Sequence, residues 1–238
     1  MAALVCLVTV AQPLRGQPGA EQPRASQAAR LDDGSFTLWA NGERIGREQF
    51  SMQRSVTADG ALVDVRAESS LRDRRGALRL TVDSAGTPVR YVLEERRGTE
   101  LALRLGGQRE RGRFTTLARS LTGESAREYL LRPGAVIVEE EGVIPHVLLV
   151  RERRLAAGEG ITLPSLSPTA NAQGVVRIVL EAVSDTVSLA GTRRVAQRWR
   201  VVTGTGELRQ LWTDPEGRLL RLTIPSRAFD ARRDDVPR

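Results

Sequence analysis

At 238 residues, with 40% hydrophobic but only 4% aromatic side chains, the chain suffices for one large domain or two small ones, and its core must be mainly Leu and Val. The formal charge of +7 comes wholly from arginine, because lysine is absent, and the arginines are interleaved with Glu and Asp. With no aromatic–basic pattern for stacking bases, this charge argues against nucleic acid and speaks to solubility and weak attraction to anionic surfaces, an envelope surface among them.

Residues 2–11 (AALVCLVTVA) form an apolar run too short to span a bilayer but suited to the apolar core of a signal peptide. Thr9-Val10-Ala11 is a small-x-small cleavage site, although the usual basic residues before the run are missing. Cys6 follows Leu4-Val5, and Val stands where a lipid-attachment cysteine wants a small residue, so export as a soluble chain to the periplasm or beyond is the expectation. As the only cysteine, Cys6 leaves no internal disulfide. Gln12–Arg30, rich in Gln, Pro, Ala and Gly, reads as a disordered linker. The expected organisation is a leader and linker over 1–30, one β-rich domain over 31–230, and a charged, frayed tail over 231–238.

From Ser35 onward the chain alternates in period two between Gly, Pro, Asn and Asp punctuation, which predicts an antiparallel meander. Ser35–Ala40 is a strand with Phe36 and Leu38 on one face and Trp39 on the other. Asn41-Gly42 is a two-residue hairpin signal. The return arm carries Phe50 and Met52 on one face, with Gly46 marking a bulge. Further turns are expected at Asp59-Gly60, Arg75-Gly76, Ala85–Pro88, Gly98 and Gly106-Gly107. Leu78, Leu80 and Val82 share a face.

After Thr122 the cadence changes. Residues 124–131 are read as a strand, and Val136–Glu140 as a short one. Residues 143–155 (VIPHVLLVRERRL) break the alternation: four contiguous apolar residues follow Pro145, and arginines close the segment. Pro in the first turn and Arg in the last suit a short helix. Leu163–Pro168 is expected to be a loop edge. Three closing strands run from Val195 to Pro225, with Trp199 on the first, Trp212 on the second, Leu220, Leu222 and Ile224 on one face of the third, and Asp214-Pro215-Glu216-Gly217 as the turn before it.

Together these elements predict a mainly β fold: a single curved antiparallel sheet, a half-barrel or open barrel meander, with one short helix packed across its concave face. The expected ligand-binding residues are Leu148, Val150, Trp199, Trp212, Leu220 and Leu222, lining an apolar space between helix and sheet.

Chemistry is sparse. His146 is the only histidine, and beside Pro145 and an apolar run it reads as a packed or capping residue. No Gly-x-Ser-x-Gly elbow and no phosphate-cradling Gly-rich motif occurs. One His and no cysteine beyond residue 6 argue against zinc or copper. Glu139-Glu140-Glu141 reads as a solvated strand end. Paired carboxylates for glycoside cleavage stay open, since their spacing is a property of three dimensions. No catalytic residue, metal ligand or cofactor is expected.

The opening GSFTLWANGERIG hairpin, the interposed VIPHVLLVRERRL segment and the closing RWRVV…LWTDPEGRLLRLTIP resemble the exported bacterial LolA/LolB-like lipoprotein-carrier half-barrel superfamily and related uncharacterised periplasmic families. Trp212, Asp214, Gly217, Arg218, Leu219 and Leu220 carry most of the resemblance. It implies non-covalent binding of a lipid or a lipoprotein acyl chain in the concave sheet. The expectation is therefore an exported, non-catalytic binding protein. Two readings stand beside it: a structural or protein-interaction module of the envelope with a filled core, and a hydrolase on the same scaffold. The sequence is silent on oligomeric state.

Overall fold

The computed structural model describes residues 28–58, 60–140 and 142–237. The leader, Cys6 and most of the linker lie outside the described residues. The period-two patterns become strands β1 (Ala29–Ala40), β2 (Glu43–Thr57), β3 (Gly60–Leu71), β4 (Arg74–Asp83), β5 (Pro88–Arg97), β6 (Glu100–Glu110), β7 (Arg113–Ser120) and β8 (Gly123–Leu130). A two-residue strand β9 (Val136–Ile137) and helix α1 (Ile144–Val150) follow. The chain then returns through β10 (Gly160–Ser167), β11 (Ala172–Leu189), β12 (Thr192–Val202), β13 (Leu208–Thr213), β14 (Leu219–Ile224) and β15 (Phe229–Arg233).

All strands join one 15-stranded sheet in the order β8-β7-β6-β5-β4-β3-β2-β1-β15-β14-β13-β12-β11-β10-β9. The two arms of the meander meet where β1 pairs β15. The sheet curves but does not close, and its edges are β8 and β9. Side chains link edge strand β8 to the β10–β11 hairpin: the Tyr129 hydroxyl bonds Asn171 Oδ1, and Gln173 Nε2 donates to the Leu130 carbonyl at 3.0 Å. The expected curved meander with a single helix is what forms. One pairing departs from it, since β9 runs parallel to β10. A parallel pair needs a crossover, and the segment carrying α1 supplies it.

Turn chemistry explains both the agreements and the shifts. Asn41 and Gly42 have φ of 52° and 80°, as a two-residue hairpin of primed type requires. The bulge falls where expected: Leu38 pairs Gly46 and Trp39 pairs Arg44, leaving Ile45 extra. Two glycine signals mislead. The turns expected at Arg75-Gly76 and Gly106-Gly107 fall instead at Arg72-Asp73 and Arg111-Gly112, and those glycines lie inside β4 and β6. Gly76 and Gly107 serve close approach rather than reversal, because a Cβ on Gly107 would stand 2.5 Å from the Phe114 ring and one on Gly76 would stand 2.6 Å from Ser69 Oγ. Gly107→Ala is therefore expected to displace buried Phe114 and cost about 1–3 kcal/mol, read from the urea midpoint.

Residues 163–167, expected as a loop edge, close β10; Pro164 stands opposite Val175, outside the two residues that β9 pairs. Ala29 and Arg30, expected in the linker, already pair with β2. The tail, expected to be frayed from Ala231, begins inside β15. Arg233 is buried and chelates both oxygens of Asp32, at 2.9 and 2.8 Å, so charge fastens this end instead of loosening it.

The main core fills the concave side, where Phe36, Phe50, Leu80, Trp199, Leu211 and Leu222 of the sheet meet Ile144, Val147, Leu149 and Val150 of the helix. Residues 135–138 are buried there as well, so β9 and the helix both lie inside the curve. The helix is shorter than residues 143–155 suggest. Arg151 is extended and Glu152 takes φ 63°, which ends the helix and leaves Arg151 and Arg153 half-buried and Arg154 exposed.

Candidate functional site

The six residues expected to line a cavity are placed on two faces. Val150, Trp199 and Leu222 are packed in the main core, and half-buried Leu148 lies against it. Trp199 Nε1 donates to Thr213 Oγ1 at 3.0 Å, which satisfies its polar edge inside. Trp212 and Leu220 belong to a small cluster with Val187, Leu189 and Ala196 on the opposite face. Trp212 Nε1 donates to Asp185 Oδ2 at 3.0 Å, and the Arg221 guanidinium stands 5.1 Å from its ring centre. A register shift between Trp212 and Thr213 explains Leu220: Thr213 pairs Leu219, so Leu219 joins Leu222 and Ile224 in the core and Leu220 faces away.

The open space lies further along the sheet, and none of the six lines it. A cavity of about 340 Å³ sits between the inner faces of β3–β6 and the crossover, at Glu139, Gly142 and Pro145. Leu71, Leu78, Leu93 and Leu103 form its apolar wall. Arg75 and Glu140 are exposed at its rim. The volume lies in the lower range of small-molecule sites.

Two buried carboxylates and a phenol line the same cavity. Glu48 projects inward from β2, two residues before Phe50, and its carboxylate accepts the Val143 amide at 2.9 and 3.0 Å and the Ile144 amide at 2.9 Å. It thereby takes up backbone donors at the start of α1 that the helix cannot satisfy. Burial pushes its pKa up to about 7, and the two amide bonds restrain the rise.

Glu139 is 3% exposed, so the solvated strand end expected for this carboxylate run is corrected at its first member. The residue comes in with the buried strand β9, while Glu140 turns out. Glu139 Oε2 accepts Ser167 Oγ at 3.2 Å and the Thr169 hydroxyl, whereas Oε1 has no hydrogen-bond partner among the described residues. Burial raises its pKa, against bonding from Thr169, Tyr91 and Ser167 that favours the charged form. Tyr91, beside it, is raised by burial and by this carboxylate.

The crossover is held from the other side by His146 and Arg209. Buried Arg209 Nη1 donates to the Glu139 carbonyl at 2.6 Å and to His146 Nε2, and Nη2 reaches Glu207 Oε2 at 2.8 Å. His146 Nδ1 then donates to the Val143 carbonyl at 3.2 Å. Burial, with the Arg209 charge beside it, lowers the His146 pKa to about 3, so the ring is a neutral structural link. The expectation of a packed histidine holds.

Among the described residues, no group of three His, Cys, Asp or Glu side chains is placed to hold a metal ion. Glu48 was open to sequence reading, as an acid in register with Phe50 and Met52. The burial of Glu139 carried no such signal, because it depends on where the crossover enters the sheet.

No family model matches the chain, and no curated protein matches it significantly. Among solved structures it is similar to a β-barrel-like protein of a domain of unknown function, DUF1849, from Brucella abortus, at 12% identity and a TM-score of 0.51, covering 89% of this chain and 98% of that one. A DUF1089 family protein from Pseudomonas aeruginosa superposes at 13% identity and a TM-score of 0.44, covering 91% and 98%. The Brucella likeness places this chain among β-barrel-like folds.

Proposed function

We propose that the chain is an exported, non-catalytic binding protein that holds an apolar ligand, a lipid or acyl chain, in the cavity between β3–β6 and the crossover. The observation that carries this reading is the open, leucine-walled space left inside a sheet whose concavity is otherwise filled. Burial of apolar ligand surface yields about 25 cal/mol per Å² before association costs of several kcal/mol, so only a ligand that fills the cavity binds usefully. The apolar run at residues 2–11 supports export, and the resemblance to lipoprotein carriers supports an acyl ligand.

The hydrolase reading has less support. His146 bonds a backbone carbonyl and an arginine, not a serine or carboxylate. Glu48 has both oxygens engaged by backbone amides, so it serves as an anchor and not as half of an acid/base pair.

A fluorescent acyl probe tests the proposal. Native protein is expected to bind it at micromolar concentration, and Leu93→Trp, which fills the cavity, is expected to weaken binding at least tenfold with little change in the unfolding midpoint. Absence of probe binding, or binding indifferent to Leu93→Trp, would overturn it.

A further inference from the structure

The cavity is chemically lopsided. Its wall is leucine, but its buried end carries Glu48 and Glu139, and among the described residues neither carboxylate forms an ion pair with a cationic side chain. Glu48 is satisfied by backbone amides. Glu139 keeps one buried oxygen, Oε1, without a hydrogen-bond partner of good geometry among the described residues, with the Tyr91 hydroxyl beside the carboxylate. A buried acceptor left unmatched is costly, and a buried charge without a counter-charge more so, so such groups in native folds commonly mark a ligand's place. The nearby guanidinium of Arg209 does not fill this role, since it is spent on the Glu139 carbonyl, His146 and Glu207.

We propose that the ligand is a cationic amphiphile, an alkyl chain carrying a primary or secondary ammonium group, with the chain along Leu71, Leu78, Leu93 and Leu103 and the ammonium at the Glu139 carboxylate. This rests on the binding reading above and narrows its ligand class. An ammonium has donors to spare and no acceptor, which matches the carboxylate and phenol oxygens of Glu48, Glu139 and Tyr91, apart from Arg74 and Arg75 on β4. A fatty-acid carboxylate brings the wrong charge to that end. The charge-assisted bond forms away from water, where it discriminates more strongly than at the surface.

The test compares three ligands of equal chain length, decylamine, decanol and decanoate, by displacement of the fluorescent acyl probe from the full chain at pH 7.5. Decylamine is expected to bind at least tenfold tighter than decanol and more tightly still than decanoate, and Glu139→Gln is expected to bring the amine-to-alcohol ratio close to one. Decanoate binding as well as decylamine, or an amine preference that survives Glu139→Gln, overturns the amine assignment while leaving the cavity as a binding site. Failure of all three ligands and of the probe overturns both readings. The comparison on native protein stands whether or not the variant folds.

Discussion

Asp32→Ala is expected to cost about 1–3 kcal/mol of stability, because it removes the buried one of two carboxylates and leaves the Arg233 guanidinium only the part-exposed Asp235, 3.1 Å from Nη2. The pair joins β1 to β15, the seam where the two arms of the sheet meet. Both side chains are almost fully buried, at 0% and 3% exposure, and the guanidinium grips both carboxylate oxygens. Its Nη2 also donates to the Asp33 carbonyl at 2.7 Å, and its plane stands 5.3 Å from the Phe50 ring centre. Surface pairs such as Arg119–Glu124 differ, with side chains 64% and 51% exposed, and are worth well under about 1 kcal/mol. Urea unfolding of Asp32→Ala measures the loss. The double variant Asp32→Leu with Arg233→Met is expected to recover most of it, since two apolar groups replace a pair that pays its own desolvation. A loss below about 1 kcal/mol in the single variant would show that β15 is held by its backbone bonds alone.

The second large effect is a pH-dependent gain in stability on Glu48→Gln. The Glu48 pKa is about 7 in the fold against an ordinary 4.5, so between those values the folded state holds a proton that the unfolded state has released. Stability from this group therefore falls as pH rises from 4.5 to 7 and is level above, by about 3 kcal/mol in all. His146 acts oppositely. With a folded pKa of about 3 against 6.5, it binds fewer protons in the fold, so its contribution is lost as pH falls from 6.5 towards 3. The two slopes oppose each other where the windows overlap, and the native profile there should be shallow. Glutamine is neutral throughout, so the stability of Glu48→Gln relative to native protein should rise by about 3 kcal/mol between pH 4.5 and 7.5. Paired denaturation curves at those two pH values read this directly. A difference independent of pH would mean that Glu48 is ionised in both states across the range.

The same residues show how far sequence reading reaches. Alternation placed Phe36, Met52 and Leu80 in strands, and turn residues such as Asn41-Gly42 located reversals, because both signals are local: a period of two and a positive φ depend on the chain within a few residues. The apolar block Val147–Val150 announced an element that had to lie on something apolar, and it does. Gly76 and Gly107 deceived for a local reason too, since the sequence cannot tell a glycine needed for reversal from one needed for room beside Ser69 or a Phe114 ring.

The face of Leu220 was lost to a register shift of one residue, and no sequence periodicity records where a bulge falls, whereas Trp212 faces away because its neighbour Leu211 pairs Trp199 in the core. What the sequence by itself determined is therefore the class of fold: a long antiparallel meander interrupted by one apolar crossover. The tertiary structure alone decided which part of the concavity the crossover fills and which it leaves open beside Glu48, Tyr91 and Glu139. Glu48 meets Val143 across 95 positions of chain and Asp32 meets Arg233 across 201, and such partners are set by the curvature of the sheet, not by any pattern within a strand.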